Sequence, residues 1–100
     1  MKITIPREIR MGIHHYRVEF NPLLWYEEQL KGSVNHIKQV IQIDPVLAPS
    51  QKITTLLHEV FHIVSDNYGC KLDDVEIDRM AQGAAEFLDN LGIEFDWSKI

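Results

Sequence analysis

Apolar and polar positions change their period partway along the chain. Before Asp44 the apolar residues fall in short, loosely alternating runs, and after Pro49 they recur at helical spacing. Ile9 to Ile13 and His15 to Phe20 are two runs around the turn chemistry of Gly12, which predicts a β-hairpin. Ser33 to Asp44 carries Val34, His36, Val40, Ile41 and Ile43, opened by Gly32 and closed by Asp44-Pro45, and predicts one or two further strands. Leu23 to Leu30, with Trp25 and Tyr26, fits a strand, a turn of helix or a packed loop equally well.

The second half predicts two helices. Ser50 after Pro49 is the expected N-cap of the first. Ile53, Leu57, Val60 and Val64 form its stripe, flanked by Leu56, Phe61 and Ile63, and Asn67 to Gly69 end it. The second starts near Asp73, carries Ile77, Met80, Ala81, Ala84, Leu88 and Leu91, and stops at Asn90 to Gly92. Ile93, Phe95 and Trp97 alternate in the tail, which is expected to pack back as an extended segment. Strands first and helices after them predict an α+β fold.

One hundred residues predict a single domain, 1–100, with a modest core. A net charge of -5 with scattered basic residues argues against nucleic acid as partner. No apolar run approaches the roughly 20 residues of a membrane span, and Met1 to Pro6 lacks a secretory pattern, so a cytoplasmic, membrane-free protein is expected. Cys70 is the only cysteine, which excludes an internal disulfide and a cysteine-based zinc finger; a partly buried loop thiol is the expectation.

Chemistry enters at His58-Glu59-Val60-Phe61-His62, an H-E-x-x-H motif inside the first predicted helix. Residues four apart share a helix face, so two imidazoles can reach one ion, with Glu59 beside it as a general base. With five His in a chain of this composition, chance yields only about 0.02 such matches. Placing Ile53 at zero, the apolar arc centres near Val64 and Ile53, and His58 and His62 lie about 140° and 180° around. The imidazoles are therefore expected nearly opposite the face that packs on the sheet.

A catalytic zinc takes about three protein ligands and leaves one position open. Asp74, Glu76 and Asp78, at the start of the second helix, are the candidates for the third. Asp73 and Glu76 match a capping box, which gives Glu76 another task. Asp74 and Asp78 share one flank of the helix, and spacing does not choose between them.

The run Thr54 to Ile63 resembles the active helix of the ImmA/IrrE-type metallopeptidases and of short phage-encoded proteins related to them. Ile5 to Ile9 with Tyr16-Arg17-Val18, Val40 to Asp44, Ile77 to Gly83 and Asp89-Asn90 are similar to other parts of that group. The resemblance implies a minimal zincin-like domain: a small antiparallel or mixed sheet, the H-E-x-x-H helix, and a following C-terminal helix. It also implies a Zn²⁺ cofactor held by His58, His62 and Asp78, with Glu59 catalytic and a protein or peptide substrate. Asp78 takes the ligand position because Ala81-Gln82 stands where the larger family has Ala-Asn after its ligating Glu. An exposed strand edge within Ser33 to Ile43 is expected to align the substrate. Tyr68 and His36 are candidate oxyanion donors, His14 and His15 are expected at the surface, and Trp25 and Trp97 suit a partner surface. The rival reading is a catalytically weak or inactive binding protein on the same fold.

Overall fold

The computed structural model describes all of residues 1–100. The elements run β1 (Lys2–Thr4), β2 (Glu8–Met11), β3 (His14–Phe20), α1 (Leu24–Glu28), β4 (Gly32–Asn35), β5 (Val40–Ile43), α2 (Pro49–Tyr68), α3 (Asp74–Asn90) and β6 (Glu94–Asp96). The fold is α+β, as expected. The predicted hairpin is β2–β3, turned at Gly12 with φ +65°. Ser33 to Asp44 resolves into two strands, β4 and β5, that pair antiparallel.

The main sheet has the order β2-β3-β5-β4, with β3 and β5 parallel at its centre. Alternation works on β3, where Tyr16 and Val18 are buried and Arg17 is exposed. On one face Tyr16, Val18, Ile41 and Ile43 meet Leu56 and Ile63 of α2 in the core. α3 packs along α2 and buries Ile77 and Ala81. No helix is long and apolar enough to cross a membrane.

Several details depart from the expectations. α2 begins with Ala48 as N-cap, not Ser50: Pro49 occupies the first turn, and the Ala48 N–H donates to Gln51 Oε1 at 3.0 Å. Within α2 the buried line is Leu56, Glu59 and Ile63, not Ile53 and Val64. The apolar arc of α2 meets the sheet along its Leu56–Ile63 edge, with Ile53 and Val60 only partly buried against the same core. Trp97 is half-buried and stacked on Phe20, with ring centroids 6.0 Å apart, so it packs inward. Cys70 is exposed, because Gly69 at φ +64° turns the chain outward after α2. Lys2–Thr4 was not expected as a strand. It pairs parallel with β6, the extended tail.

One contact sets the position of the sheet edge. A Cβ on Gly32 would stand 2.4 Å from Thr55 Cγ2 and 3.1 Å from the Gln42 carbonyl oxygen. β4 therefore lies against α2 more closely than any side chain permits. Gly32→Ala is expected to push the strand off the helix and cost about 1–3 kcal/mol, read by urea denaturation. An unchanged midpoint would show that the strand is free to shift.

Candidate metal centre

The helix α2 holds His58 and His62 on successive turns, facing the start of α3. Their Nε2 atoms are 3.0 Å apart. Asp74 Oδ1 lies 3.0 Å from His62 Nε2 and 3.4 Å from His58 Nε2. Donors bound at about 2.0–2.1 Å to one tetrahedral ion stand about 3.3–3.4 Å from each other. The edges of this triangle match that spacing to within a few tenths of an ångström. Two imidazoles and a carboxylate are also the donor types that zinc takes in open sites.

Asp74 gets there because α3 starts beside the end of α2. The capping box forms as expected: the Glu76 N–H donates to Asp73 Oδ1 at 2.8 Å, and the Asp73 N–H to Glu76 Oε1 at 2.9 Å. That fixes the first turn of α3 and occupies Glu76, leaving Asp74 next to it to reach the His pair. Asp78, the residue the resemblance put in the ligand position, lies elsewhere. Its Oδ1 is 3.4 Å from the other nitrogen of His58, Nδ1, and its Oδ2 accepts from Gln82 Nε2 at 2.8 Å. It sits one helical turn beyond Asp74, on the far side of the His58 ring. That is where metal-binding histidines commonly keep a carboxylate partner that orients the ring.

For a zinc ion held at this cluster, the two arrangements predict graded effects on affinity. Asp78→Ala is expected to weaken binding by about 10–100-fold, as the loss of an outer partner does, and Asp74→Ala by more. Competition against a chelating dye measures both. The reverse order would return the ligand position to Asp78.

Glu59 lies under the edge strand, only 6 % exposed, with Gly32 above it. Its donor atom and those of His58 and His62 all lie within 4.8 Å of one another. Burial pushes its carboxyl up to about 7, the His58 charge opposes this, and Asp74 adds to it.

On one flank of the centre a recess of about 350 Å³ is lined by His62, His36, Asp66 and Lys71. On the other flank a recess of about 330 Å³ is lined by His58, Glu59, Gly32 and Trp25. Of the two oxyanion candidates, His36 is at the rim of the site. Tyr68 is exposed and near the Gly12 turn. The buried Tyr16 hydroxyl lies 3.2 Å from His36 Nδ1. Burial, with the Asp66 charge behind it, holds the Tyr16 phenol above its usual range. His15 pairs with Glu8, and half-buried His14 lies 3.0 Å from Gln39 Nε2, so the hairpin histidines take no part.

Tyr16 and Gln82 figure in the sequence only as parts of the resemblance, with no role at the site. Trp25 and Gly32 carried other expectations, a partner surface and a strand start. Only the register of β4 on α2 shows their relation to the site. Comparison with known protein families, with curated proteins and with solved structures returns no match.

Proposed function

We propose that this chain is a zinc-dependent peptide hydrolase on a minimal zincin-like fold, of the kind the ImmA/IrrE-type resemblance implies. The observation that carries the reading is the convergence of His58 Nε2, His62 Nε2 and Asp74 Oδ1 within 3.0–3.4 Å of one another, next to a buried glutamate. His58, His62 and Asp74 would hold the ion. When bound, zinc supplies a Lewis acid that lowers the pKa of coordinated water toward about 7 and polarises the scissile carbonyl.

The remaining steps belong to side chains. Glu59 takes a proton from the attacking water and passes it to the departing amine. Each transfer needs a group that both gains and releases a proton near neutral pH. The protonated Tyr16 hydroxyl can donate to His36 Nδ1, which leaves the proton of the His36 ring on its other nitrogen, available to a developing oxyanion. β4 pairs with β5 on one side only, so its other edge is free to align an extended peptide beside Glu59. The contact between Gly32 and Thr55 keeps that edge close to the reacting groups.

The test is joint. The protein is expected to hold one equivalent of zinc and, so loaded, to cut members of a mixed peptide library. Glu59→Gln should keep the zinc and lose the cutting. Protein that takes up no zinc would overturn the reading, and so would equal cutting by the variant.

A further inference from the structure

The groove does not end at the metal centre. Thr54 and Gln82 line the recess beside His58 and Glu59, and they also line a larger cleft of about 800 Å³. That cleft lies between the first turns of α2, the last turns of α3 and β6. Its size is within the range of ligand pockets, about 300–1,000 Å³. Ile53, Ile93, Phe95 and Trp97 give it apolar surface, and Glu86, Asp89 and Glu94 line it with carboxylates.

Charge decides what fits. The wall contains no Lys, Arg or His, and none of the three carboxylates forms an ion pair within the chain. The α2 N-terminus opposes them with only about half a unit of positive charge. It also has little left to offer an anion: Pro49 has no N–H, and the Gln51 and Lys52 N–H groups both donate to the Ala48 carbonyl at 2.9 Å. Three full negative charges over an aromatic floor favour an amphipathic cation.

We infer that this cleft is a specificity subsite for a basic, amphipathic stretch of peptide. An Arg or Lys stem lies along Phe95 and Trp97, with its charged head among Glu86, Asp89 and Glu94. The inference rests on the hydrolase reading for its purpose, but the binding itself needs no metal. The subsite begins where Thr54 and Gln82 close the catalytic recess, so a peptide aligned on β4 reaches it with residues to one side of the bond being cut.

The experiment uses the full chain with Trp25→Phe, which leaves Trp97 as the reporter in a chain with two tryptophans. Matched peptides that differ only in Arg, Gln or Glu at two positions are titrated while Trp97 emission is followed. The Arg peptide is expected to shift the emission and bind tightest, with affinity falling as salt rises. Neutralising the cleft with Glu86→Gln, Asp89→Asn and Glu94→Gln together is expected to weaken it about tenfold. All three positions are exposed, and circular dichroism of the neutralised protein is the control for a retained fold. Failure of the Arg peptide to bind, equal binding of the Glu peptide, or no loss in the neutralised protein would each overturn the subsite. Repeating the titration with His58→Ala separates the two readings. Arg-selective binding without zinc uptake by wild type keeps the subsite and sinks the hydrolase; zinc-dependent cutting that is indifferent to Arg does the reverse.

Discussion

His58→Ala is expected to abolish stoichiometric zinc binding, and with it a large rise in thermal stability that zinc confers on the wild type. The atoms that meet at the centre are two ring nitrogens and one carboxylate oxygen, 3.0–3.4 Å apart. Removing His58 leaves two donors, and the loss should exceed the about 10–100-fold that follows removal of an outer partner. An ion that binds only the folded chain at about 100 times its Kd stabilises it by about 2.7 kcal/mol. For a domain of this size that is a rise in Tm of roughly 10–20 °C. Differential scanning fluorimetry with and without zinc, on wild type, His58→Ala and His62→Ala, reads it directly. Equal shifts in all three proteins would place the ion elsewhere and end the metal-centre reading.

The parts of the fold legible in the sequence are those that local pattern determines. α2 and α3 follow from the helical recurrence of apolar residues, and the Asp73–Glu76 capping box needs only a spacing of three. β3 and β5 read as strands because they are β-branched and aromatic, and the β2–β3 hairpin needs only Gly12 between its strands. The parts that were not legible depend on contacts distant in sequence. Lys2–Thr4 is exposed at every position and is a strand only because β6 comes back to it from Glu94. The five residues of α1 are ambiguous in isolation. Their start is held by the buried Asp44, which accepts the Trp25 N–H at 2.9 Å and the Val46 N–H at 2.9 Å.

The same division runs through the site. His58, Glu59 and His62 share one helix, so their spacing reveals their relation. The candidate third donors sit on another helix, and Asp74 and Asp78 differ by a single turn. Only the way α3 crosses α2 shows which carboxylate faces Nε2 and which faces Nδ1. The burial of Glu59 was equally hidden. Helical periodicity alone put the sheet-facing line on Ile53 and Val64, whereas the sheet takes Leu56, Glu59 and Ile63. Glu59 is therefore not beside the core but under its edge strand, which is the origin of its raised pKa.

That burial makes Glu59→Gln the most informative single change, because activity and stability are expected to move in opposite directions. Loss of a general base costs about 10²–10⁴-fold in rate, and zinc-loaded Glu59→Gln should lose peptide cleavage to that extent. Its metal-free fold should become more stable. The carboxyl titrates near 4.5 in an ordinary environment and at about 7 in the folded chain. Between those values the native state keeps a proton that the unfolded chain has released, so stability falls as pH rises through the window. The cost is absent below the lower value and complete above the upper one. Glutamine cannot ionise and escapes it, gaining roughly 3 kcal/mol over wild type above neutral pH and nothing in acid. Urea denaturation of the two metal-free proteins at pH 4 and pH 8 measures the difference. Zinc should shrink it, because a cation beside the carboxylate favours the charged form. A variant that gains equally at both pH values would show that the stabilisation is a packing effect, and that Glu59 is not the strained, proton-holding group its position under β4 makes it.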